Sequence, residues 1–374
     1  MILHISNDFN HTKVHKELYA ELDNLGLEQS VYIPLKNHKF KNNNHFEFKD
    51  QKSQFVYSSK LKIYHKFLFS NKISFLYTDL INKIAISEVS LVHATTLFSD
   101  GALAFKIFKD YNIPYVVAVR STDINFFFKY RKDLLKLGKS ILLNAQRVIF
   151  ISEASRKQFV DIHEINDIID VIKSKIVMFN NGIDRFWIDN KSKYFRESVN
   201  ELNFLFVGDF IKRKNCLMLI EAISNVRIRE NIDINLHLVG RPGNQSKKIA
   251  DKVQQNDWIK FHGEIKEKEK LKAIFKKCQF FTMISHIETF GLVYIEALSQ
   301  GKPVLFTKGQ GIDYLFNLSI GEKVDSFDLD DIERNVLVLL SKDYSEINHI
   351  DFEDFRWENI ANKYHKLYKI ILDD

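Results

Sequence analysis

The chain has 374 residues, 45% of them hydrophobic and 13% aromatic, too long for one ordinary core and too apolar for a disordered segment. Its net charge of +6 is uneven: residues 1–190 carry +6, residues 191–374 carry 0, and residues 101–150 alone sum to +6. No run approaches ~18 uncharged apolar residues, so a membrane span is not expected; the start lacks a secretory pattern, and Cys216 and Cys278 form no metal or redox motif and fit a reducing cytoplasm.

In chain order, short β-branched runs predict strands at Ile2–Ser6, Ser30–Ile33, Leu91–His93, Tyr115–Val119, Arg147–Ile151 and Lys175–Phe179. A second set follows at Asn203–Val207, Ile234–Val239, Ile259–His262, Phe280–Ile284 and Pro303–Thr307. Amphipathic segments alternate with them, among them Val14–Leu25, Gly101–Tyr111, Cys216–Val226 and Glu267–Lys277. Such alternation predicts an α/β fold with parallel sheets covered on both faces. Asn37–Asp50 reads as a surface loop. The turn cluster Asn180-Asn181-Gly182-Ile183-Asp184 and the charged stretch Asp189–Asn203 place a seam near residues 185–200. The expected domains are 1–190, 191–354 and a closing helix, 355–374, with helical apolar spacing over Phe355–Ile371.

The strongest motif is His286-Ile287-Glu288-Thr289-Phe290-Gly291-Leu292, continued by Glu296-Ala297-Leu298, a strand–turn–helix transition. Amide N–H groups at a helix start suit phosphate, and Gly291 permits close approach of a ligand. Glu288 precedes the helix and Glu296 lies about two turns along it, so two carboxylates can meet two parts of one extended ligand; vicinal hydroxyls pair well with such groups. A helix with surface glutamates is the bland alternative. A second motif, Val207-Gly208-Asp209 through Lys212-Arg213-Lys214, joins a strand end to basic residues entering a helix, and Lys214 supplies a point charge for a leaving phosphate. On its own this is more often a solvated basic loop. The turns Val239-Gly240-Arg241-Pro242-Gly243 and His262-Gly263-Glu264-Ile265 end further strands of the same half.

Together these residues resemble the retaining family 4 glycosyltransferases (glycosyl transferases group 1) of the GT-B fold, two Rossmann-like domains with parallel sheets facing across a cleft. The resemblance rests on Gly208 with Lys214, on Glu288 through Leu292 with Glu296, and on Gly301-Lys302-Pro303-Val304. It extends to Trp357-Glu358-Asn359-Ile360-Ala361, which looks like the family's last helix crossing back to the first domain, and, in layout, to His93, Asp123 and Asn181-Gly182-Ile183-Asp184. The resemblance implies that Lys214, with Arg213, neutralises a diphosphate. Glu288, Thr289, Phe290, Gly291 and Leu292 then meet the transferred sugar or its phosphates, Glu296 holds the ribose and Ile265 lies near the base. It also implies a nucleoside-diphosphate sugar as co-substrate, with uridine favoured, and neither cofactor nor catalytic metal.

Three positions depart from the family. Asn7-Asp8-Phe9-Asn10-His11 stands where a glycine-rich loop is usual, Arg120-Ser121-Thr122-Asp123 lacks the usual preceding histidine, and Asp209 replaces an arginine. Arg120 can hold charge but is no ordinary general base. Asn10, His11, His93 and Asp123 are therefore the acceptor-side candidates.

Phe55–Lys72 and Phe126–Lys139 interleave basic and aromatic residues. Read as amphipathic helices they suit an anionic membrane surface, and equally an ordinary helix face with solvated lysines. No nucleic-acid signature accompanies the charge. The sequence thus predicts a cytoplasmic transferase, peripheral at the membrane, moving a hexose or N-acetylhexosamine to a glycan or lipid-linked acceptor in surface polysaccharide synthesis. The alternatives are a non-catalytic partner subunit or glycan-binding protein, and a nucleotide-sugar epimerase.

Overall fold

A computed structural model describes residues 1–196 and 201–373; residues 197–200 of the charged stretch and Asp374 lie outside the described residues. Thirteen strands are present among the described residues, in two all-parallel sheets that belong to two compact units.

Unit one comprises Met1–Ile151, Ser155–Gly182 and Trp357–Asp374. Its strands are β1 (Ile2–Ile5), β2 (Gln29–Ile33), β3 (Gln54–Tyr57), β4 (Leu91–Ala94), β5 (Tyr115–Ala118), β6 (Arg147–Phe150) and β7 (Ile176–Met178), in the order β3-β2-β1-β4-β5-β6-β7. Alternate residues feed two cores. Leu3, Ile5, Val92, Ala94 and Val117 pack on one face, against side chains of helices Phe69–Lys83, Ser99–Tyr111 and Leu135–Asn144. Ile2, Val31, Leu91, Val116 and Ala118 pack on the other, against helices Val14–Asn24 and Trp357–Asp373. Trp357, Ile360, Tyr364, Leu367, Tyr368 and Ile371 recur every three or four residues along that last helix, which is why a single stripe of it is buried.

Unit two comprises Ser152–Ala154 and Ile183–Arg356. Its strands are β8 (Leu202–Val207), β9 (Ile234–Val239), β10 (Ile259–Gly263), β11 (Phe280–Thr282), β12 (Val304–Thr307) and β13 (Gly321–Val324), ordered β10-β9-β8-β11-β12-β13. Phe204, Leu205 and Phe206 of the central β8 are fully buried, as both-sided cover requires. The short helix Arg185–Asp189 belongs to this unit, with Trp187 edge-on to Phe275 at 5.4 Å.

Two strands, β3 and β13, were not predicted; both are sheet edges without a fully apolar run. The amphipathic-helix expectation for Phe55–Lys72 is corrected: that stretch is most of β3, a short turn at Ile63–Lys66, and the start of helix Phe69–Lys83. Phe126–Lys139 likewise breaks into a wide turn, Asp123–Phe128, a tight turn, Lys132–Leu134, and helix Leu135–Asn144. No described helix is long and apolar enough to cross a membrane.

Candidate functional site

In unit two the chain runs from β8 outward to β9 and later returns to β11 on the opposite side of β8. Loops at the carboxyl ends of strands diverge at such a reversal, which is where open parallel sheets hold ligands. Four loops meet there. After β8, Gly208 donates its N–H to the Val239 carbonyl at 3.0 Å. Gly240, after β9, lies so close that a Cβ on it would stand 1.8 Å from the Gly208 carbonyl oxygen. Residues Lys212–Lys214 form a single turn, and Asn215 (φ +55°) reverses the chain into helix Cys216–Glu230.

That turn carries Lys214 to the loop after β11. Its ammonium lies 2.6 Å from a carboxylate oxygen of Glu288, with the two side chains 14% and 12% exposed. Next to it the Arg213 guanidinium donates to the Ile287 carbonyl at 2.7 Å, and the Arg213 carbonyl accepts from the His286 N–H at 2.9 Å. Cationic side chains and the Glu288 carboxylate are thus held together at one point. The fourth loop follows β12. Gln310 Oε1 accepts the Glu288 N–H at 3.1 Å, and the Gly311 N–H donates to the Glu288 carbonyl at 2.9 Å, so Glu288 is pinned from both sides of its peptide. Asp209 is satisfied elsewhere, in two parallel bonds of 2.8 Å from Arg241.

Gly291 caps helix Leu292–Ser299 with φ +79°, and a Cβ there would meet the Tyr294 ring at 2.4 Å. The ring is fixed by its hydroxyl, which donates to the Met283 carbonyl. Phe290 is buried and Leu292 half-buried. The helix opens toward Thr289–Gly291, so its amide dipoles favour an anion at that end. Glu296 is its fifth residue, just over one turn along rather than two. Burial, with the Asp184 carboxylate adding to it and Lys268 opposing, pushes the Glu296 carboxyl up to about 7. Ile265 is half-buried just after β10.

The remaining candidates belong to unit one. Asn10 is buried in the loop after β1, and exposed His11 packs its ring 5.0 Å from that of Phe40. Arg120 Nε donates to the Thr95 carbonyl at 3.1 Å. His93 and Asp123, expected as acceptor contacts, are both buried and make internal hydrogen bonds. His93 sits in the core, its Nδ1 2.7 Å from the Tyr368 hydroxyl, and burial holds its imidazole well below the usual range. Asp123 accepts the N–H groups of Leu97 (3.1 Å), Phe98 (3.2 Å) and Arg120 (2.9 Å), and burial pushes its carboxyl up to about 6.

Two features escaped the sequence reading. One is the Gln310–Gly311 support of Glu288, whose signal was available: Lys308-Gly309-Gln310-Gly311 is another glycine turn closing a predicted strand. The other is at the carboxyl ends of β1 and β4, where buried Asp100 accepts from Asn7 Nδ2 (3.1 Å), Thr95 Oγ1 (2.9 Å) and Thr96 Oγ1 (3.0 Å). No short sequence pattern announces it, because its members are brought together only by β1–β4 pairing.

Comparison with known proteins bears on the family and the fold. The family model Glycosyl transferases group 1 matches residues 188–350, and Glycosyltransferase Family 4 matches residues 12–185. An uncharacterized glycosyltransferase of Methanocaldococcus jannaschii is 24% identical over 313 residues, 78% of each chain. The capsular polysaccharide biosynthesis glycosyltransferase CapH of Staphylococcus aureus is 24% identical over 277 residues, 71% of this chain and 72% of that one. Among solved structures, sucrose-phosphate synthase from Thermosynechococcus elongatus superposes with a TM-score of 0.74 at 17% identity, covering 100% of this chain and 99% of that one. With both halves matched in sequence and fold, the chain belongs to the group 1, family 4 glycosyltransferases, built from the two Rossmann-like α/β units of the GT-B class.

Proposed function

We propose that the chain transfers a hexose or N-acetylhexosamine from a UDP-sugar, with retention of anomeric configuration and without a catalytic metal, to a glycan or lipid-linked acceptor in surface polysaccharide synthesis. The observation that carries the donor half of this reading is the Lys214–Glu288 pair at the strand reversal of unit two. When the donor enters, its diphosphate takes the Lys214 ammonium from Glu288, and Glu288 turns to the sugar hydroxyls. Arg213 and the dipole of helix Leu292–Ser299 share the negative charge that grows on the leaving phosphate, which is the role a metal would otherwise fill. Glu296 accepts hydrogen bonds from the ribose. The capsule-synthesis name of one relative supports the surface-polysaccharide setting. The basic character of unit one supports work at the inner membrane face.

Thermal unfolding of the full chain against UDP, GDP, ADP and CMP, with and without EDTA, tests the donor. A ligand at 100 times its dissociation constant adds about 2.7 kcal/mol. A shift confined to the uridine series and indifferent to EDTA is expected. A shift with GDP alone, or one abolished by EDTA, would overturn the donor assignment or its metal independence.

A further inference from the structure

Unit one contains a cavity of about 320 Å³ whose charge is of one sign. Lys36, Lys60, Lys62, Lys66, Lys72 and Arg131 line it, and no carboxylate does among the described residues. Two of these cations have acidic partners: Lys36 with Asp8 at 3.7 Å and Arg131 with Asp133 at 2.6 Å. Lys60, Lys62, Lys66 and Lys72 have none within 4 Å among the described residues.

Lys72 is the most informative of them. It projects from helix Phe69–Lys83, is half-buried, and its ammonium donates to Ser99 Oγ at 3.1 Å. Burial holds it below the usual lysine range, Asp100 opposing and Lys36 adding to the effect. Asp100 answers this charge only in part, and a partly desolvated ammonium next to a second cation gains from a further anion.

Position and walls narrow the ligand. Lys36 and Lys60 follow β2 and β3, so the cavity opens at the carboxyl edge of the sheet, the side on which parallel α/β sheets bind ligands. Apart from the buried His65, the remaining wall is apolar: Leu61, Ile63, Phe69, Phe126 and Phe127. Its rim leaves large apolar groups in water, with Ile63 79% and neighbouring Phe67 76% exposed. A free sugar would leave both the cations and these side chains without partners. A phosphorylated head on a long apolar chain satisfies both.

We propose that this cavity binds the diphosphate of a lipid-linked acceptor, with the start of its apolar chain lying over Ile63, Phe67 and Phe126. This rests on the proposed transferase reading and narrows its acceptor from glycan or lipid-linked glycan to a diphosphate carried on a long apolar chain.

Isothermal titration of the full chain with farnesyl diphosphate, inorganic pyrophosphate and farnesol tests it, with UDP titrated in parallel. Farnesyl diphosphate is expected to bind at least tenfold more tightly than pyrophosphate, and farnesol not measurably. Lys62→Gln with Lys66→Gln, both on exposed turns, should weaken farnesyl diphosphate about tenfold and leave UDP unchanged; Lys72→Gln should do the same. Equal binding by the wild type and both variants, equal binding of farnesol, or capture of phosphatidylglycerol vesicles without binding of farnesyl diphosphate would overturn the proposal. UDP binding without farnesyl diphosphate binding sinks this inference alone. The reverse result supports the cavity and strikes the donor reading.

Discussion

The Lys214 ammonium and the Glu288 carboxylate, 2.6 Å apart, come from loops 74 residues apart in sequence and neutralise each other at the strand reversal of unit two. Each group is the other's only ionic partner within 4 Å among the described residues, so removing one leaves the other partly desolvated and alone. Lys214→Ala is expected to lower kcat by about 10²–10³, the usual loss when one charge-stabilising donor is removed. Glu288→Gln should lose a comparable amount and also unfold at a lower temperature, because the Lys214 charge is left without its partner. Steady-state transfer kinetics beside thermal melts decide the matter, and wild-type turnover in either variant would remove the pair from the chemistry.

Glu296 makes the protein pH-sensitive in a stated direction. Its ordinary value is 4.5 and its folded value about 7, so between these the folded chain keeps a proton that the unfolded chain has released. Stability is therefore expected to fall as pH rises through that window, and Glu296→Gln should flatten the fall. Ribose hydroxyls donating to this group favour its ionised form. UDP should then bind up to about tenfold more weakly at pH 6 than at pH 8, more steeply in the wild type than in Glu296→Gln. Titration calorimetry of both proteins at the two pH values checks it; identical slopes would place the ribose elsewhere.

Gly240 is required by the approach of two loops. A methyl group there would overlap the Gly208 carbonyl, which belongs to backbone and cannot swing away. Gly240→Ala is expected to destabilise by about 2–4 kcal/mol and to displace the loop leading to Lys214, weakening UDP binding with it. Chemical denaturation and nucleotide titration read the two effects.

Gln310 holds Glu288 by accepting its peptide N–H. It is a positioning residue, and Gln310→Ala should lower kcat by about tenfold with little change in the KM for donor. Gln310→Glu, which keeps the accepting oxygen, should recover much of the loss. A rise in KM alone would instead mark Gln310 as a donor contact.

Asp123 holds three backbone N–H groups in a buried turn. Asp123→Ala leaves all three without an acceptor and is expected to cost about 3 kcal/mol or more, whereas Asp123→Asn keeps an acceptor oxygen and should cost less. Equal melts for the two variants would show that the turn does not depend on this side chain.

The strand–helix alternation, the two-sheet α/β class and the loops carrying Gly208, Lys214, Glu288 and Gly291 were legible in the sequence. They depend on local pattern: fully buried parallel strands must be apolar throughout, and ligand loops follow strand ends. Edge strands β3 and β13 were not legible, since a strand covered on one side needs no apolar run. The fate of His93 and Asp123 was equally hidden. A histidine or carboxylate reads the same in sequence whether it faces a ligand or is spent on Tyr368 or a turn of backbone amides. Gln310 under Glu288, and the gathering of Lys36, Lys62 and Lys72 around one cavity, exist only because strand order and register bring distant loops together. Local chemistry is written in the spacing of residues along the chain, but which charges end up desolvated and which find partners is settled only when the sheets close.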